Sequence, residues 1–307
     1  MSGLNCTELT DVCTFEESVY GYKPSLGANA FFCASFGLLC IANIGLGIRY
    51  KTWSWMIAVS FGCLAETIGY VGRLLMRDNP FSDNGFITQI CCLIIAPAFN
   101  SAAIYLTLKH IALCFGDQWS FIKPRFYTYI FIFFDLVSLI LQGAGGGIAS
   151  TADDEDQQQI GDNLMMAGIS WQVVALALFA GTAGTYVWRR WKALGQYPLS
   201  SEAASAVANT KFRLFVFGVV TAWFTIFVRC VYRIIEMAGG WRNSIMRDEA
   251  SFIALEGVMV LIAATCQTVF HPGFSFPRLG GWLPSSIPSK TSADVSMEEL
   301  NSGVQRA

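Results

Sequence analysis

The chain has 307 residues, 54% of them apolar and only 14% charged, with a net charge of −2. A water-soluble domain carries about 25% charged residues, so the deficit excludes a soluble surface and points to a polytopic membrane protein. There is no basic cluster of the kind that grips phosphate backbones, which excludes nucleic acid as a partner.

The first 25 residues read as a polar, acidic tail, with Glu8, Asp11, Glu16 and Glu17. They hold no n-region and h-region of a cleavable signal peptide, so the first apolar helix is expected to serve as its own insertion signal. Asn5-Cys6-Thr7 is a glycosylation sequon, usable only on an exterior or lumenal face. Cys6 and Cys13 can close a disulfide on that face. The other eight cysteines lie in or beside apolar segments and read as small buried hydrophobes.

A helix needs roughly 20 mostly apolar residues to cross about 30 Å of hydrocarbon. Seven segments meet that requirement, predicted at 26–48, 53–75, 86–113, 126–148, 164–188, 213–238 and 251–270. The fold class is therefore all-α, a seven-transmembrane-helix bundle. Its connections are short except at 149–163 and 189–212. The expected organisation is an extracellular tail (1–25), a membrane domain (26–273) and a Ser- and Pro-rich cytosolic tail (274–307) of disordered composition. No internal repeat stands out, which speaks against an inverted-repeat transporter.

Orientation follows from the basic residues. Of the 20 Lys and Arg, three (Arg73, Arg229, Arg233) lie inside spans. With the N-terminus outside, four lie at the outer face (Lys23, Arg77, Arg242, Arg247), leaving thirteen in the cytosol. The acidic stretch Asp153–Asp156 with Asp162 suits an exterior loop.

Six ionisable residues interrupt the spans: Glu66 and Arg73 in the second, Arg229, Arg233 and Glu236 in the sixth, and Glu256 in the seventh. Each costs at least ~2.5 kcal/mol on insertion scales, so each needs a partner or a task. Three Arg and three Glu balance. At a rise of 1.5 Å per residue, Glu66 falls about 20 Å and Arg229 roughly 24 Å from the cytosolic edge. The whole set is thereby expected in the outer half, with Tyr70, Gln89, Gln142 and Gln172 as polar neighbours. Asp135 is the exception, about 14 Å in and close to the midplane. Two readings stay open: interhelical struts, or a polar layer facing a lipid headgroup. Within the sixth helix, Arg233 and Glu236 can pair at i, i+3.

Lesser features have plainer readings. Gly143, Gly145, Gly146 and Gly147 are expected to end the fourth helix or let it pack closely. Pro97 is expected to kink the third helix, with neighbours re-satisfying its backbone. His110 and His271 fall at cytosolic helix ends, where a cation suits the dipole. There is no phosphate-binding P-loop, and two His cannot supply the three ligands of a hydrolytic zinc. No cofactor and no enzymatic activity are expected.

Several motifs, in order, carry a resemblance. They are Glu66-x-x-Gly69-Tyr70-x-x-Arg73, Ala96-Pro97 with Ala102 and Tyr105, Phe134-Asp135, and Gln142-x-x-Gly145-Gly146-Gly147. Then come Trp171-Gln172, Arg229-x-x-x-Arg233-x-x-Glu236, Glu249, Glu256 and His271-Pro272-Gly273. This set resembles the fungal RTA-like family, also called the lipid-translocating exporter family, over residues 20–273. Glu256 departs from it slightly, since Asp is the commoner residue there. The resemblance implies seven helices, an exterior N-terminus and a fungal plasma membrane. It also implies movement of, or resistance to, amphipathic lipids such as sphingoid long-chain bases, aminosterols or porphyrins. Membrane lipids and an amphipathic lipid substrate are thus the expected partners. The alternative is a seven-helix lipid-sensing receptor or regulator of lipid asymmetry.

Overall fold

The computed structural model describes residues 9–10, 13–120, 123–150, 152, 154–199, 201–239 and 243–275. The sequon at Asn5 and Cys6 lie outside the described residues, as does the C-terminal stretch from 276 onward. Cys13 is disulfide-bonded, and the eight cysteines of the apolar segments are outside any disulfide.

Seven helices long and apolar enough to cross a membrane are present among the described residues. They are α1 (Leu26–Tyr50), α2 (Trp53–Asp78), α3 (Asp83–Phe115), α4 (Pro124–Ser150), α5 (Glu155–Ala193), α7 (Thr210–Ala238) and α8 (Glu249–Val269). A short α6 (Ser201–Ala208) precedes α7. The protein is multi-pass, and its described residues contain no strand.

Local chemistry sets several helix ends. Ser25 and Ser82 cap α1 and α3 by accepting from the amides of Ala28 (3.5 Å) and Gly85 (3.3 Å). Asn209 and Asp248 do the same for α7 and α8. These side chains take up N-terminal amides that have no intrahelical acceptor. Lys51 turns the chain between α1 and α2 in the left-handed region, with φ of 56°.

Two connections differ from expectation. Residues 155–163 are helical, because Glu155 and Asp156 sit in the first turn of α5, where the helix dipole stabilises negative charge. The stretch 189–212 likewise contains the end of α5 and all of α6. The glycine run does not stop α4, which continues to Ser150. Its use is close packing. A Cβ on Gly145 would lie 2.6 Å from the Gly161 carbonyl oxygen, so only glycine allows α4 and α5 to meet backbone to backbone there.

Helix α3 packs against α2, α4, α5, α7 and α8. Its face toward α2 lies over a core that includes Phe32, Phe36, Trp55 and Tyr70. Its other face borders Tyr127, Phe131, Phe179 and Ile226. Outward faces are apolar and exposed, as at Leu38, Ile41, Phe133 and Phe217, which suits contact with lipid tails. One end of the bundle receives the N-terminal segment and is called the capped end below. Tyr20 and Val19 pack there with Met76, Met165, Met237 and Met246.

Candidate functional site

Proline has no N–H and clashes with the carbonyl one turn earlier, so it opens the ladder at residue i−4. In α3, Pro97 frees the carbonyl of Leu93. Arg229 of α7 takes that acceptor: its Nη2 donates to the Leu93 oxygen at 2.8 Å. The same guanidinium donates to Glu256 Oε1 of α8 from Nη2 (2.6 Å) and Nε (3.0 Å). Three helices are thereby joined at one buried ion pair, with side chains 2% and 0% exposed.

Arg233, one turn further along α7, pairs with Glu236 on its own helix and has its Nε 3.9 Å from Glu256 Oε2. The four charges Arg229, Glu256, Arg233 and Glu236 therefore neutralise one another. Glu256 belongs to a π-helical stretch, Phe252–Val258. A π turn inserts an extra residue and is frequently found at functional sites.

Glu66 behaves differently. It is 1% exposed, and neither carboxylate oxygen accepts a hydrogen bond among the described residues. Glu256, Arg229 and Arg233 act on it electrostatically without touching it. It is the fourteenth of 26 residues in α2. Because α2 continues to Asp78, Glu66 lies at the middle of its helix. Tyr70, one turn away, is clamped between Phe36 and Phe32, with ring centres 5.8 and 5.1 Å distant, and its hydroxyl has no partner.

Among the described residues Arg73 pairs with no carboxylate, Glu66 included, although the two share a helix face. Two turns of separation put it at the capped end, where the N-terminal segment reaches it first. Its Nη2 donates to the Tyr22 hydroxyl. The guanidinium carbon lies 3.8 Å from the centre of the Phe252 ring and 5.1 Å from that of Tyr20. Such a ring box holds a cation through the negative faces of its π systems. Burial pushes the Tyr20 hydroxyl up to about 12 and raises that of Tyr22, so both remain neutral phenols. Further ties fix the segment. Gln89 donates to Tyr20 (2.7 Å), Arg77 to the Pro24 carbonyl (3.0 Å), and the Ser25 amide to Glu249 (2.6 Å). These interactions were not legible from composition, which presents residues 13–25 simply as polar.

A pocket opens beneath Tyr20, lined by Gln142, Met165, Arg233, Glu236, Met237 and Met246, among others. Gln142 joins α4 to α5 by donating to Gln172 at 3.4 Å, and also donates to Ser138 at 2.7 Å. Asp135 stands apart from the charged group. It is 4% exposed, and its two oxygens make no hydrogen bond. His271 is fully buried, and burial lowers its imidazole to about 4. It is therefore neutral and caps by accepting from the Gly273 amide at 3.0 Å, not by positive charge as the helix-end position suggested. His110 bonds the Leu106 carbonyl of its own helix at 2.7 Å.

The family model described as RTA1 like protein matches residues 59–279, which covers the helices that supply these charges. The chain belongs to the RTA1-like family. It is 29% identical over 295 residues to the Sphingoid long-chain base transporter RSB1 of Saccharomyces cerevisiae, covering 87% of this chain and 77% of that protein. It is 29% identical over 238 residues to Protein RTM1 of the same yeast, covering 73% and 71% of the two chains. Protoporphyrin uptake protein 1, also of yeast, is 36% identical over 121 residues, or 38% of each chain. No solved structure matches the chain.

Proposed function

We propose that this chain translocates amphipathic lipids of the sphingoid long-chain base type, exporting them across a fungal plasma membrane and so conferring resistance to them. The observation that carries the reading is Glu66, a buried carboxylate at mid-helix with no hydrogen-bond partner among the described residues. A sphingoid base has an ammonium and hydroxyls at one end and a single long tail. The ammonium pairs with Glu66, while the Tyr70 hydroxyl offers a partner to the base's hydroxyls. Similarity to a yeast protein named for transport of sphingoid bases supports the substrate class. The excess of Lys and Arg at the uncapped end supports a capped end that faces outward.

The ion pair Arg229–Glu256 is the frame of this site rather than its ligand contact. No displacement of an Arg from Glu66 is required, because none occupies it. Replacing Glu66 by Gln keeps the volume and removes the charge. At unchanged surface level, Glu66→Gln cells should lose resistance to added sphingoid base. Full resistance in that variant sinks the headgroup assignment. Purified protein in liposomes separates the second reading: saturable binding of a labelled base without movement makes the chain a lipid-sensing receptor or regulator.

A further inference from the structure

Asp135 is the twelfth of 27 residues in α4, at the middle of its helix. Its surroundings are placed by aromatic packing. The Tyr105 ring of α3 sits 5.4 Å from Phe131, one turn before Asp135, and 4.8 Å from Phe179 of α5. The Tyr105 hydroxyl interacts with the Asp135 carboxyl, and Ser101 lies one turn along α3 from Tyr105. Among the described residues, no contact of the Tyr105 and Ser101 hydroxyls or of the Asp135 oxygens has full hydrogen-bond geometry, although Tyr105 interacts with both Asp135 and Ser101. The titratable groups that face Asp135 are Tyr105 from α3 and Cys230 from α7. Among the described residues α5 brings no charged group there; its Trp171 donates to the neighbouring Phe134 carbonyl at 3.1 Å. No Arg, Lys or His among the described residues pairs with Asp135.

A carboxylate out of water needs a counter-charge. Glu66 lies within reach of the Arg229, Arg233 and Glu256 charges; Asp135 has no fixed cation among the described residues. Its counter-charge has to be mobile. We propose that Asp135, with Tyr105 and Ser101, is a proton-exchange site that couples movement of the lipid ammonium to movement of a proton. This rests on the translocation reading above. When the ammonium reaches Asp135, the carboxyl O–H bond breaks, the proton leaves to water and the carboxylate pairs with the ammonium. When the lipid departs, a proton from water re-forms the O–H bond. One positive charge replaces another, and no electrons are transferred.

The test uses the full-length chain in phosphatidylcholine liposomes under an imposed pH difference. Sphinganine movement tests translocation itself. The driven probe is N,N,N-trimethylsphingosine, whose fixed charge removes passive redistribution of a free amine. One-for-one exchange predicts about tenfold accumulation per unit of pH difference, abolished in Asp135→Asn. If sphinganine moves but the probe ignores the gradient, or Asp135→Asn follows it like wild type, the proton proposal is overturned and the translocation reading stands. If sphinganine does not move, translocation fails, and infrared spectroscopy decides the proton site alone. A carboxylic C=O band that is lost in Asp135→Asn supports it; identical spectra overturn it. Should Asp135→Asn not fold, Asp135→Glu serves instead, with a shifted band as support and an unshifted spectrum as refutation.

Discussion

Glu256 and Glu66 are the same residue type, buried to the same degree, a short distance apart in one bundle. Glu256 receives two donors from Arg229 and the field of Arg233; Glu66 receives no donor at all. A charge held that tightly is a fastener, because loosening it exposes uncompensated charge to a low dielectric. A charge left unpartnered is available to an incoming group. Interhelical strut and headgroup contact, two readings of the same six residues, thus make different demands on individual side chains.

The largest effect should come from breaking the fastener. Arg229→Ala leaves both Glu256 and the Leu93 carbonyl without a donor, and should cost about 3–5 kcal/mol. Thermal unfolding in detergent and the yield of folded protein check this. Glu66→Gln should fall at the other end of the stability scale, within about 1 kcal/mol of wild type or slightly above it, because no protein contact is lost. Its base transport should nonetheless fall at least roughly tenfold, equivalent to about 1.4 kcal/mol of lost ligand or transition-state contact. Equal destabilisation in the two variants would erase the distinction.

Smaller effects sharpen it. Tyr22→Phe removes the hydroxyl that accepts from Arg73 while keeping the ring, and should cost about 1–2 kcal/mol, read as a lower Tm. The cation–ring contacts with Phe252 and Tyr20 remain. A pH dependence is the last probe, spread over a wide window. The folded value of His271, about 4, lies below the ordinary 6.5, so the unfolded chain binds the extra proton first. Its contribution is complete above pH 6.5 and is lost as pH falls toward 4, with a slope of at most about 1.4 kcal/mol per pH unit. Comparing Tm across that window in wild type and His271→Gln isolates it.

The seven spans were legible because each is a long apolar run, and the six charges because such runs exclude them. Distribution of the partners was not legible. Depth and helix face place Glu66 and Arg73 together, yet two helical turns are enough for the N-terminal tyrosines to claim Arg73 first. The π stretch around Glu256 adds one residue to a turn, a change too small for hydrophobic periodicity to register. Pro97 did offer a usable signal. A proline in a membrane helix names its own orphan carbonyl four residues earlier, and a buried Arg with five N–H groups is a natural claimant.

That carbonyl has a consequence for biogenesis. Chain order delivers α3 to the bilayer well before α7, so the Leu93 oxygen enters hydrocarbon without its eventual donor. An unsatisfied carbonyl costs several kcal/mol in lipid. Until α7 arrives, α3 is at its most favourable near the translocon or against a polar chaperone surface. Arrival of Arg229 closes the account for α3 and neutralises Glu256 of the next helix in the same contact. Assembly of the second half of the bundle is thereby tied to completion of the first, and a chain truncated before α7 should be recognised by membrane quality control as unfinished.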